Sequence, residues 1–316
     1  MTEVAVYTDK QIRNYDPTGT TGLRNAFVAD MRRRFKELSM VVYKAIVVKD
    51  VFGLKPSLIA HQMTTPSEGA FAFARSGAKV EAFMKWLQEQ VDKGIITVAE
   101  FEQIGTAIEG AWTNKYIYDS YKRGVIRARY EMKKAGLQIP SIDDMGGIDM
   151  VMQLPFHIDR VGLLFTRTFQ ELKGITAAMD SQISRILAQG MADGDGPRLL
   201  ARKILSTING TGVDKLGITD TLGRFIPARR RAEILSRTEI IRAHHVATIQ
   251  EYRNWGVLGI TVKGEWKTAG DDRVCERCAS LEGKIFTLDE IEPMIPLHPQ
   301  CRCIALPYIE ELKKYE

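Results

Sequence analysis

Cys275-Glu-Arg-Cys278 and, one loop later, His298-Pro-Gln-Cys301-Arg-Cys303 decide how this chain reads. No cysteine precedes Cys275. Two close-spaced clips of thiol and imidazole are what a tetrahedral zinc site needs, because the short spacing within each clip removes much of the chain entropy of closing the metal ring. The C-terminal module is therefore expected to fold around a structural zinc. Cys275 and Cys278 make one ligand pair. The other pair comes from His298, Cys301 and Cys303: His298 with Cys301 repeats the two-residue gap, whereas Cys301 with Cys303 gives an all-thiolate set whose members share a face if they lie on a strand. The spacing leaves both open. Four protein ligands close a coordination sphere, so the pattern argues for stabilisation, since a catalytic ion keeps a position for water. Two disulfides are the competing use of the four thiols. The opening Met1 to Gln11 shows no basic-then-apolar leader, and the expectation that follows is a reducing cytosol, where disulfides rarely persist.

Around the clips the apolar period is two. Ile260, Val262, Gly264 and Trp266 alternate with Thr261, Lys263 and Glu265, which predicts a strand with one buried face. Further short strands are expected near Lys284–Thr287 and Cys303–Tyr308. Thr287-Leu-Asp-Glu290 has the form of a capping box opening a short helix between them, with Pro293 and Pro296 ending it. So small a sheet has little core of its own, and the clips would tie its first turn to its last strand.

Upstream the period is helical. Phe27, Met31, Phe35, Leu38, Val42 and Ile46 mark a helix from Leu23 to about Val48, with Arg32, Arg33 and Arg34 off the stripe. A second helix is expected from Gly77 to Gln90. Thr97-Val-Ala-Glu100 would cap a long stretch reaching Gly136, in which Tyr118, Tyr121, Val125, Ala128 and Met132 face inward. Lys122, Arg123, Arg127, Arg129, Lys133 and Lys134 would surround that stripe as a face for solvent or phosphate. Residues 140–158 read as a linker. A strongly amphipathic helix runs from about Asp159 to Gly190, Asp193-Gly-Asp-Gly-Pro197 turns, and a shorter helix spans Arg198 to Ile208. Pro227 suits a helix start, and Ala228–Trp255 follows, with His244 and His245 read as hydrogen-bonded core residues and Arg237, Glu239 and Arg242 as a local ion cluster.

The fold class expected is α+β: a predominantly helical body with a small metal-stapled, β-containing module at the C-terminus. Residues 1–22 read as an arm that packs on a neighbour or stays mobile, 23–139 as a helical domain, 140–158 as the linker, and 159–316 as a second domain carrying the Cys/His module at about 260–309. A composition of 45% hydrophobic and 26% charged residues is that of an ordinary globular protein, and the most apolar run, Leu38–Val48, is too short for a membrane span. A net charge of +5 is compatible with an acidic partner.

The run from Trp266 through Asp271-Asp272-Arg273-Val274-Cys275 to Phe286, with Pro296-Leu-His298-Pro-Gln-Cys301-Arg302-Cys303, closely resembles the signature of the phage Mu protein F-like family of minor head, or head morphogenesis, proteins. Leu235-Ser-Arg237-Thr238-Glu239-Ile-Ile-Arg242-Ala-His244 resembles that family's Arg-Thr-Glu helix. The likeness is strong over Asp159–Pro307 and weaker before it. It implies a virion head component, made in the host cytoplasm, that acts with the portal and major capsid proteins during assembly and, in some members, contacts packaged double-stranded DNA. It implies no membrane and no small-molecule substrate. On this reading Asp271, Asp272 and Arg302 orient the ligands or meet a partner, and Lys122, Arg123, Arg127, Arg229, Arg230 and Arg231 are the candidate DNA contacts.

Two other functions compete. A metal-dependent hydrolase would use His298, Asp271 and Asp272 beside the ion. The sequence has no phosphate-binding glycine loop, G-x-S-x-G or H-E-x-x-H, and the expectation is a protein without enzymatic activity. A DNA-binding zinc module would show affinity that falls steeply with salt.

Overall fold

Apolar side chains three and four residues apart build most of this molecule, and the computed structural model describes them over residues 16–54, 76–96, 111–210, 219, 223–256 and 261–309. The helices are α1 (Thr21–Tyr43), α2 (Ser76–Val91), α3 (Asn114–Lys134), α4 (Ile148–Met152), α5 (Pro155–Ala192), α6 (Pro197–Asn209) and α7 (Ala228–Gly256). After α7 come β1 (Val262–Lys267), α8 (Glu276–Ala279), β2 (Ile285–Phe286), α9 (Leu288–Ile291) and β3 (Ile304–Ile309). The expected α+β class is what the chain adopts. Among the described residues no helix is long and apolar enough to cross a membrane.

Two apolar cores meet on α3 and α7. The larger is built mostly by helices, joining Phe27, Phe35, Trp112 and Tyr121 to Phe165, Met179, Ile204 and Ala243, and so draws on both sides of residues 140–158. The smaller packs Ala128 and Met132 of α3 and Ile249 and Tyr252 of α7 against Trp266, Ile291, Cys301 and Cys303. Each of the two helices has one stretch or face for each core. Their approach is close: a Cβ placed on Gly124 would lie 2.3 Å from the His244 carbonyl oxygen and 2.7 Å from the Ala247 Cβ. Because backbone must move to admit even a methyl, Gly124→Ala is expected to lower stability by about 1–3 kcal/mol. Urea unfolding measures this, and an unchanged midpoint would refute the close contact.

The sheet is antiparallel in the order β2-β1-β3, with Gly264 opposite Phe286 and Pro307. β1 alternates buried and half-buried as its period predicts. Gly264 lets α9 close over the sheet, since a Cβ there would stand 3.0 Å from two carbons of Ile291. The Thr287–Glu290 capping box forms as expected.

Elsewhere the structure departs from the sequence reading. Within the stretch expected to be one helix up to Gly136, residues 111–113 are not helical: a turn there aims Trp112 inward to pack edge-on against Phe27 and donate to the Ile95 carbonyl at 2.8 Å. The Thr97–Glu100 capping box lies outside the described residues. Arg34 is buried over the Trp112 ring and donates to the Gly94 carbonyl, so it does not share the exposed side with Arg33. Residues 143–145 and 148–152 are helical, and Val151 and Met152 join the core. Asp16 to Thr20 form a hydrogen-bonded knot at the start of α1. The Asp16 carboxylate accepts from Thr18 and from the Thr21 N–H at 2.6 Å, and Pro17, Thr18 and Thr20 are buried.

Arg129 is the largest departure. It was expected on the solvent face, yet it is 5% exposed and pairs at 2.9 Å with Glu251, which is fully buried. His157 Nε2 lies 3.0 Å from the other Glu251 oxygen, and His157 Nδ1 lies 2.9 Å from the Tyr121 hydroxyl. Trp255 Nε1 donates to Glu251 at 3.3 Å, and the Arg129 guanidinium lies over the Trp255 ring. This polar network joins α3, α5 and α7.

Candidate metal centre

β1 delivers the chain to the first clip and β3 carries it away from the second, so the sheet holds the two clips side by side. At the first, Cys275 caps α8 and its sulfur accepts the Cys278 N–H at 3.5 Å. In the second, His298 turns through Pro299 and Gln300, whose φ of 65° lies in the left-handed region, and Cys301 N–H closes the turn on the His298 carbonyl at 3.1 Å. The imidazole is oriented by its own turn. His298 Nδ1 lies 2.9 Å from the Pro299 carbonyl oxygen, which can only accept, so Nδ1 carries the proton and the Nε2 lone pair is left for a metal.

Nε2 points at sulfur, 3.3 Å from Cys275 and 3.2 Å from Cys278, and Cys278 lies 4.0 Å from Cys301. In a tetrahedral site with bonds near 2.3 Å to sulfur and 2.0 Å to nitrogen, such edges are about 3.5 and 3.8 Å. Two overlapping trios result, Cys275-Cys278-His298 and Cys278-Cys301-Cys303, with the donor atoms of each within 4.8 Å of one another. Cys278 belongs to both. The structure thus brings together all five donors named from the sequence, and they fit a thiophilic, four-coordinate ion.

Electrostatics point the same way. Burial, with the neighbouring sulfur of Cys301, pushes the Cys278 thiol up to about 12. Cys303 is raised by its contact with Cys301 and by burial, while donation from Cys303 brings Cys301 down to about 5. Crowded, buried thiols resist joint ionisation, and a bound cation removes that resistance.

Asp271 and Arg302 brace the clips. Arg302, between Cys301 and Cys303, meets Asp271 through two hydrogen bonds of 2.7 and 2.5 Å, and Arg273 adds two from its guanidinium and one from its backbone N–H, the shortest at 2.6 Å. Arg302 holds the Asp271 carboxyl well below the usual carboxylate range. Asp272, named beside it, is exposed.

The sequence reading missed the role of α7. The expected Glu239–Arg242 pair forms, but Arg237, read as part of that ion cluster, turns away from it: its Nη1 donates to Gln300 Oε1 at 2.7 Å, and Thr238 Oγ1 accepts the Gln300 N–H at 3.1 Å. Glu239 takes Arg242 and Arg167. Arg237 and Thr238 therefore seat the His298–Cys301 turn. Their adjacency at one helix position was the available signal, but nothing local pointed to a residue sixty positions away. His244 and His245 are buried as expected. Burial pushes them down to about 3 and about 4, and His245 Nε2 lies 3.1 Å from the Ile291 carbonyl.

Residues 181–306 match the family model of the Phage Mu protein F like protein. That span runs from within α5 into β3 and contains all five donors, Asp271, Arg302 and the Arg237–Glu239 segment, so the family likeness and the metal geometry fall on the same residues. It begins later than Asp159, where the resemblance of the sequence was read to start. No curated protein and no solved structure matches the chain.

The basic residues named as DNA contacts are spent largely inside the chain. Lys122 pairs with Asp149 at 2.8 Å, Arg127 with Glu131 at 2.5 Å, and Arg229 and Arg230 with Glu233 at 3.5 and 3.3 Å. Arg123 donates to the Gly19 carbonyl at 3.1 Å and Arg231 to the Ile175 carbonyl at 3.5 Å.

Proposed function

We propose that this protein is a minor capsid, or head morphogenesis, component of a tailed bacteriophage that docks with the portal and major capsid proteins as the head assembles in the host cytoplasm. It then remains in the virion head. The observation that carries this reading is the coincidence of the Phage Mu protein F like match with the metal module and the helix that seats it. The ion, read as zinc, is structural: an all-protein donor set leaves the module rigid and supplies no position for reacting water. The protein acts as a shaped surface and not as an enzyme.

Particles assembled without the chain are expected to have defective heads or poor infectivity, with rescue by the natural protein and not by Cys278→Ser. Normal, infectious particles in its absence would refute the proposal, as would turnover of a substrate by the purified protein. Contact with packaged DNA is the second reading, and it is weakened by the internal pairing of Lys122, Arg127, Arg229 and Arg230. Reversing the charge of Lys122 and Arg123 is expected to leave DNA affinity and its salt dependence unchanged. A tenfold loss with a shallower salt slope would restore that reading.

A further inference from the structure

α1 and α7 lie against one another in opposite directions. Arg32 reaches Glu233 through two bonds of 2.9 and 3.0 Å, and two turns back along α1 Arg24 comes within electrostatic range of Arg237 and Arg302. Guanidinium crowds this seam. Glu233, whose side chain is 3% exposed, takes Arg32, Arg229 and Arg230 together, and three forks on one carboxylate leave many N–H donors directed elsewhere. Further along, Arg24 has Asp16 at 3.3 Å, Arg302 has Asp271, and Arg237 has the neutral Gln300. Five of these six guanidiniums thus share three carboxylates over about 12 Å of helix, Arg273 draws on Asp271 as well, and Arg237 has no carboxylate of its own.

Arg24 and Arg237 are strained, while Arg32, whose proton affinity is raised by its bonds to Glu233, is among the reachable ones. Burial lowers the proton affinity of Arg24; Asp16 opposes this, and Arg302 and Arg237 add to it. Burial and then Arg230 do the same to Arg237. The Arg32 and Arg230 side chains stay 53% and 45% exposed, so an incoming anion meets them without rearrangement of the core.

We propose that the α1–α7 seam is a docking surface for a carboxylate-rich segment of a partner protein. Planar forks that already hold Glu233 and Asp271 through paired bonds are suited to further carboxylates. Asp16, Glu233 and Asp271 stand among the arginines. A duplex with one negative charge per about 1.7 Å would press phosphates against those acids. An acidic helix avoids this, because carboxylates seven residues apart are spaced by about 10.5 Å, the same interval that separates Arg230 from Arg237 on α7. The inference names a contact face for the assembly function proposed above. Peptide binding by purified protein and the phenotype of particles are separate readouts, so either can fail alone.

The test titrates the full chain, loaded with metal, into a labelled alanine-rich helical peptide with glutamates one seven-residue repeat apart. The same peptide with glutamines and a short DNA duplex are compared. The glutamate peptide is expected to bind in a salt-sensitive way, at least about tenfold more tightly than the glutamine peptide and more tightly than the duplex. Arg32→Gln with Arg230→Gln is expected to cost about tenfold, with helicity and metal content unchanged, while Arg33→Gln on the same helix costs nothing. If the double variant does not fold, Arg230→Gln alone serves. No binding of the glutamate peptide, equal binding of both peptides, or preference for the duplex would each overturn the proposal.

Discussion

Glu251→Ala is expected to destabilise the fold by about 3–5 kcal/mol, the loss typical when one partner of a buried ion pair is removed and the other charge is stranded. Glu251 is fully buried and holds Arg129 at 2.9 Å, His157 at 3.0 Å and Trp255 at 3.3 Å. Removing the carboxylate leaves a guanidinium, an imidazole and an indole N–H without their acceptor in a region water does not reach. Urea unfolding at neutral pH measures the loss. A double-mutant cycle with Arg129→Met separates the stranded charge from the missing bonds: the double variant is expected to recover part of the stability. A loss below about 1 kcal/mol for Glu251→Ala would mean that the network is not a buried one.

Cys278→Ser is expected to abolish metal retention, lowering affinity by more than the 10–100-fold typical of losing a supporting hydrogen bond. The reason is geometric, since Cys278 is the one donor common to both trios. Cys303→Ser leaves Cys275, Cys278, His298 and Cys301 in place and is expected to retain the ion. Elemental analysis of protein purified under reducing conditions, followed by chelator competition, ranks the variants. Chelation of the natural protein is expected to speed hydrogen exchange in β1 and β3 while α5 and α6 stay protected, because so small a sheet depends on its staple. Absence of zinc or any comparable ion, with exchange unchanged by chelator, would remove the metal from the account.

Much of this fold was legible because its signals are local. Helical periodicity located α1, α5, α6 and α7, and the alternation at Val262, Gly264 and Trp266 located β1, since each pattern reports which face of one element is dry. The thiol and imidazole spacing named all five donors for the same reason: the ligand pairs are neighbours in the chain. Two of the errors fall where charge was taken to mean exposure. Arg34 and Arg129 are long side chains whose burial is made affordable only by Trp112 in one case and Glu251 in the other, both far away in sequence.

The sequence by itself determined the helical body, the small sheet, the five candidate donors and the family likeness, all of which show in local patterns of residues. Only tertiary structure decided that Arg237 and Thr238 seat the second clip, that Asp271 and Arg302 lock the two clips together, and that Arg129, His157 and Glu251 share one buried network. The physical reason is that a polar side chain tolerates burial only when a partner meets it, and the identity of that partner is set by how helices pack, which no local pattern encodes.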